Sequence, residues 1–331
     1  MASVLLTGLT LLLALVAAAC SSSKPSRAGA RPSSSTATAA TGAETAQSTG
    51  TTVLPGTGKP TVTIGDKNYT EQFVLGDLYR EALQAQGFTV QLNQNIGPTS
   101  VTLQALASGS LDMYPEYLNV FTSSVAQYRR EFDSRAGAYA AAQRYALTHS
   151  MQLAAPTPFS DTQAIGVTVG YAAEHRLRSL HDLGKVASSL TVGGTPQFAQ
   201  THPGLSDLER AYDFSPASYT DTAVGDQYTG LNAGTIQAAD LNTTDGQLAT
   251  GNYRVLADPR NVVGWGNVVP VVAARAVGAE GPAFVATINR VSALLTIAVM
   301  RQLNSAVDVA GEDPADVAKQ FLETHGVIPP S

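Results

Sequence analysis

Ile64-Gly-Asp-Lys-Asn-Tyr-Thr-Glu-Gln72 and Leu111-Asp-Met-Tyr-Pro-Glu-Tyr117 are the stretches that decide the fold. Each grows out of an apolar run that reads as a short buried strand, Val62 to Ile64 in one case and Leu111 to Met113 in the other, and each leads towards helical sequence. Two strand-to-helix turns from one parallel sheet open on the same edge of that sheet, the edge where α/β proteins bind small ligands.

Outward from these turns the pattern is β-α-β-α-β. Thr61 to Ile64 reads as a strand and Thr70 to Gln86 as a helix, with Phe73, Val74, Leu78 and Ala82 at helical spacing and Gly87 where a C-terminal cap belongs. Phe88 to Leu92 alternates as a second strand. Thr99 is placed to cap a helix that runs to Ser108, and Leu111 to Tyr114 is a third strand. Short connections in that order argue for a parallel, doubly wound sheet. Residues 121–150 read as helical. Beyond Pro156 and Pro158 a fresh strand–helix series begins, and Val268 to Ala273 reads as a strand returning to the first sheet. Gly281 to Asn304 reads as one long helix, and Pro314 to Thr324 as the last.

The expected architecture is α/β with two lobes, the second inserted in the first. Residues 61–160 and 267–331 form lobe 1, and 161–266 form lobe 2. Such a molecule closes like a clamp on hinge strands.

Composition bounds the partners. Residues 1–59 hold four basic residues and one acid, so the remainder carries 16 basic and 25 acidic residues, a net charge of −9. A body this acidic is set against nucleic acid, whose phosphates demand clustered Lys and Arg. The N-terminus reads as an export signal over residues 1–20. Its apolar run, Leu9 to Ala19, is short for a membrane span and ends in Val16-Ala-Ala-Ala-Cys20. Small residues before a lone cysteine resemble the lipobox of bacterial lipoproteins, which makes Cys20 the expected lipid anchor. Residues 21–60 are Ser, Thr, Ala, Gly and Pro with few large apolar side chains, the composition of a disordered tether. A single cysteine excludes an internal disulfide and Cys-based metal sites, and nothing in the chain calls for a cofactor. The five histidines are scattered without metal-ligand spacing, and no G-x-S-x-G nucleophile elbow occurs, so no enzyme is expected.

The two opening motifs, together with Thr243-Thr-Asp-Gly246, resemble the substrate-binding proteins of glycine betaine/choline/carnitine (osmoprotectant) ABC importers. The resemblance runs over residues 61–331 and implies a type II periplasmic-binding-protein-like fold that captures a small solute between its lobes. It also implies an ABC permease and an ATPase as partners, and attachment to the outer face of the cell membrane through the lipid anchor. A ligand-sensing or scavenging lipoprotein of the same fold is the alternative.

Members that bind quaternary amines use a box of aromatic rings, because ring faces attract a cation that has no hydrogen to donate. By the resemblance, Lys67 holds the ligand carboxylate and Tyr117 is a box ring. The other box positions fall on Gln163, Asn242 and Gly266, the last beside Trp265, and the second carboxylate clamp becomes Thr201. The candidate ligand residues are therefore Lys67, Tyr117, Gln163, Thr201, Asn242 and Trp265. Amides in place of rings favour a ligand with hydroxyl or carbonyl groups over a plain quaternary amine. Tyr114 is read as core. Asp112, Glu116 and Asp245 are read as structural, and Glu71 as a helix N-terminal charge.

Overall fold

The structure is a computed structural model and describes residues 53–331. The expected signal segment with Cys20, and the tether up to residue 52, lie outside the described residues. Ten strands follow one another: β1 (Val62–Gly65), β2 (Val90–Asn93), β3 (Met113–Tyr117), β4 (Met151–Leu153), β5 (Gln163–Thr168), β6 (Thr191–Gly194), β7 (Ser218–Asp221), β8 (Ala238–Asn242), β9 (Tyr253–Val255) and β10 (Val268–Ala273). They form two five-stranded sheets, ordered β2-β1-β3-β10-β4 and β7-β6-β8-β5-β9. All five strands of the second sheet lie in the chain between β4 and β10.

Neither sheet is purely parallel. β1 runs parallel to β2 and β3, as the β-α-β-α-β pattern requires, but β10 is antiparallel to both β3 and β4. In the second sheet β6 is parallel to β7 and β8, whereas β5 is antiparallel to β8 and β9. Each sheet therefore receives one strand that arrives from the other lobe, and that strand runs against its neighbours. All six residues of β10 are buried, which fits its continuous apolar run.

Helix α1 (Thr70–Ala85) buries Val74, Leu75, Leu78, Tyr79, Ala82 and Leu83 against the first sheet, and Gly87 follows it at φ +82°. Helix α2 (Thr99–Ser108) ends on Gly109 at φ +87°. A side chain costs little at neither position, since both backbones are left-handed. The side chain of Thr99 does not cap α2; its hydroxyl donates to Glu116 Oε2 at 3.0 Å.

Three other expectations are corrected. The stretch 121–150 is not one helix: a π-turn covers Phe121–Val125, and the helix proper is Arg135–Thr148, capped by Ser134 accepting from the Gly137 amide. Residues 53–60 are seated on the body, with the Gly56 amide on Gln86 O at 2.9 Å and Lys59 Nζ on Ala279 O at 3.1 Å. Composition alone carried the tether too far, because backbone hydrogen bonds do not need large side chains.

The long helix expected from Gly281 to Asn304 is two, Pro282–Leu294 and Ile297–Asp308, meeting at 88°. Leu295 is fully buried with a non-helical backbone, and its carbonyl accepts the Phe159 amide at 3.0 Å. Thr296 then restarts the chain by accepting from the Val299 amide at 3.3 Å. Thr296→Ala is expected to cost about 1 kcal/mol of stability in urea denaturation, the worth of one N-cap.

That bend carries the Ile297–Asp308 helix across to the second sheet. Arg301 Nε donates to Thr243 O at 2.8 Å, and Asn304 Nδ2 to Thr244 O at 2.9 Å. Gly246 rests on the same helix so closely that an added Cβ would lie 2.7 Å from Ser305 Cα. The two crossing segments are stitched together where the chain passes between sheets. The Asp161 amide donates to Gly266 O at 2.9 Å, the Gly266 amide to Ser160 Oγ at 3.0 Å, and Asn267 Nδ2 to Thr157 O and Phe159 O.

Candidate solute-binding cleft

Gly65 closes β1 where a side chain would press on Leu111 and Ile96. The turn that follows brings Asp66, Lys67 and Tyr69 to the C-terminal edge of the sheet just before α1. Lys67 is buried and its ammonium is ion-paired with the fully buried Glu116. Glu116 also accepts the Tyr117 amide at 2.8 Å and the Thr99 hydroxyl. Lys67 thus has a carboxylate of its own chain, where the resemblance gave it that of the ligand.

Tyr117 is equally occupied. Lys67 Nζ sits 5.5 Å from its ring centroid, and the Tyr69 ring stacks with it at 6.3 Å and 23°. Its hydroxyl donates to Glu71 Oε1 at 2.8 Å, and Asn304 Nδ2 donates to the other Glu71 oxygen at 2.9 Å. Tyr117 is only 5% exposed, whereas Tyr69 is 40% exposed. Glu71 stands in the first turn of α1, as read, and is in addition the buried acceptor that fixes Tyr117.

On the second sheet Gln163 and Asn242 face each other in register across β5 and β8. Gln163 and Trp265 line one cavity of about 420 Å³ beside the crossing segments, with Asn261, Asn267 and Arg135 also on its wall. Trp265 is half-buried against the first-lobe core, its Nε1 donates to Phe132 O at 3.0 Å, and its carbonyl accepts the Asn119 amide at 2.8 Å. Thr201 follows the short helix Pro196–Gln200, with its amide on Gln197 O at 2.9 Å. Among the described residues no hydrogen bond joins Thr201 to the other five candidates. The structure thus groups Lys67 with Tyr117, Gln163 with Asn242, and Gln163 with Trp265.

Tyr114 is fully buried, as its alternation on β3 implied. Asp112 takes the Thr63 amide and pairs with Arg275, and Asp245 takes the Tyr228 hydroxyl at 2.7 Å and the Asn242 amide. Sequence reasoning missed Tyr69, Asp161 and Asn304. Tyr69 stood inside the deciding stretch, two residues from Lys67; Asn304 gave no signal, because only the bend after Leu294 brings it to Glu71.

Burial raises the Glu71 carboxyl, against the lowering effect of its hydrogen bonds to Asn304 and Tyr117. Burial, with the charge of Glu71 beside it, holds Asp161 well above the carboxylate range. Asp66 is raised from 3.8 to about 7 by burial, only partly offset by the Asn95 amide. Because its folded pKa lies above the unfolded value, the stability Asp66 contributes is full below about pH 4 and lost as pH rises through about 7. Asp66→Asn is expected to gain on the wild type as pH rises. Thermal unfolding at about pH 4.5 and about pH 8 checks it: the difference in midpoint between variant and wild type is larger at the higher pH.

Among the described residues no group of three or more His, Cys, Asp or Glu is placed to hold a metal ion. Two sheets joined by paired crossing segments, with a polar and aromatic cleft beside them, define the two-lobe solute-binding class of protein. Residues 60–324 match the family described as the substrate binding domain of ABC-type glycine betaine transport systems, and the chain belongs to that family. It is 28% identical over 281 residues to the glycine-betaine-binding protein of Pseudomonas aeruginosa, covering 81% of this chain and 89% of that one. The glycine betaine-binding protein YehZ of Escherichia coli is 27% identical over 281 residues, covering 80% and 90%. A crystal structure titled glycine betaine/carnitine/choline ABC transporter superposes with a TM-score of 0.76 at 21% identity, over 80% of this chain and 99% of that chain. That likeness carries the type II periplasmic-binding fold.

Proposed function

We propose that this protein is the lipid-anchored, extracytoplasmic capture component of an ABC importer. Cys20 holds it to the membrane, the two lobes (61–160 with 267–331, and 161–266) close on a small polar solute, and the closed form delivers it to the permease. Membership of the substrate-binding family is the observation that carries this reading. Ligand in the cleft favours closure through contacts made to both lobes at once.

The solute differs from a plain quaternary amine. By the resemblance, Gln163 and Asn242, register partners on β5 and β8, are amides where rings would be needed, and Thr201 is a hydroxyl in place of a cationic clamp. Loss of rings worth about 0.5–2 kcal/mol each weakens a betaine by several powers of ten. A thermal-shift screen of the full chain against betaines, choline, amino acids, polyols and amines tests the capture step, since a binder raises the midpoint by mass action. Radiolabelled uptake of the best binder in a deletion strain tests delivery. Uptake undiminished by the deletion would remove the importer reading.

A further inference from the structure

On the Tyr69–Tyr117 side of the cleft, Lys67 is not free for a ligand carboxylate. Lys67 and Glu116 neutralise each other in the interior, and position 201 is Thr. Acceptor oxygens dominate the lobe junction instead. Glu71, Asp161 and Asp245 lie there, and Arg301 Nε donates to Thr243 O.

Two of the oxygens at this junction are buried and receive no hydrogen bond: Asp161 Oδ1 and Asn304 Oδ1. Asn304 is 4% exposed, and its amide nitrogen is already engaged by Glu71 and the Thr244 carbonyl, so its oxygen is the free end of the group. A buried acceptor without a donor is costly, and a ligand that brings N–H groups relieves that cost. A metal ion does not answer the demand, because the described carboxylates are too dispersed to coordinate one. A quaternary ammonium, having no N–H, does not answer it either. On the Lys67 side, the aromatic surface open to a cation belongs to Tyr69. Tyr117 is enclosed between Lys67 and Tyr69 and tied to Glu71, so it positions the Tyr69 ring.

We propose that the cleft selects a small organic cation bearing N–H donors, an alkylammonium or guanidinium, seated on the exposed ring of Tyr69 with its N–H groups on Asp161, and that no ligand carboxylate is required. This rests on the capture reading above and names its solute class. Tyr69 supplies the ring face, Asp161 the charged acceptor, and Asn304 a second acceptor fixed by Glu71. Burial, and then the charge of Glu71, raises the Asp161 carboxyl, and an arriving cation acts the other way by favouring its ionised form.

Calorimetry on the full chain with agmatine, choline and glycine betaine tests this, alongside Asp161→Asn, Tyr69→Ala and Tyr69→Phe. Agmatine is expected to bind about tenfold or more tighter than either quaternary amine, and Asp161→Asn and Tyr69→Ala each to weaken it about tenfold. Tyr69→Phe, which keeps the ring, is expected to retain agmatine binding and so separates loss of the ring face from misfolding. Tighter binding of choline or glycine betaine, agmatine binding indifferent to Asp161→Asn, or no agmatine binding at all overturns the inference. The capture reading stands or falls separately, on whether any solute in the wider stabilisation screen binds the wild type.

Discussion

Lys67→Ala is expected to lower the stability of the protein by about 3–5 kcal/mol, because it strands Glu116 in the interior without its counter-charge. Glu116 is fully buried and Lys67 5% exposed, so water cannot take over the role of the lost ammonium. The remaining partners of Glu116, the Thr99 hydroxyl and the Tyr117 amide, satisfy hydrogen bonds but bring no full charge. Urea denaturation at neutral pH measures the loss. Pairing Lys67→Met with Glu116→Gln should restore most of it, since removing both charges together leaves nothing uncompensated. A loss below about 1 kcal/mol would mean that the pair behaves as a solvated surface bridge, and that Lys67 is available to a ligand after all.

The second large effect is expected at the crossing between lobes. Gly266 has an ordinary negative φ, so its glycine is required by space and not by backbone conformation. A Cβ there would be driven into the backbone carbonyl of Asp161, which has no rotamer to escape through. The Asp161 amide and the Gly266 carbonyl are hydrogen-bonded to each other, so the two crossing segments must separate to admit a methyl group. Gly266→Ala should cost about 3 kcal/mol by overpacking and should alter the relative setting of the lobes, weakening whatever solute bridges them. Gly170→Ala, in the short helix Val169–Glu174, is the control: an added Cβ meets nothing within 4 Å, and a neutral or slightly stabilising change is expected. Denaturation together with small-angle scattering reads both consequences. A Gly266→Ala protein with wild-type stability and wild-type scattering would contradict the tight crossing.

These two positions illustrate how far the chain could be read in advance. The strand–turn–helix at residues 62–85 was legible because a short apolar run marks β1 and helical spacing governs α1, both local properties. β4, β7 and β9 were not legible: each is three or four residues long and at a sheet edge, too short for a periodic pattern to be distinguished. The antiparallel setting of β5 and β10 was equally invisible, since direction relative to a neighbour is fixed by which lobe the chain has just left. The break at Leu295 escaped for another reason. Leu294, Leu295 and Ile297 continue an apolar helix by pattern, and only the Phe159 amide, 136 positions earlier in the chain, accounts for why the Leu295 carbonyl leaves it.

By itself the sequence determined the family, the turn that bears Lys67 and the strand that ends in Tyr117, because each motif of consecutive residues encodes one local structure. What the tertiary structure decided is what those residues are free to do. Lys67 and Glu116 lie 49 positions apart, and Glu71 and Asn304 lie 233 apart; burial brings each pair together and commits it internally. Tyr69 is left as the exposed ring, and Asp161 Oδ1 as a buried oxygen that receives no hydrogen bond. A side chain's chemistry is written in the chain, but its availability depends on which distant groups have already satisfied it.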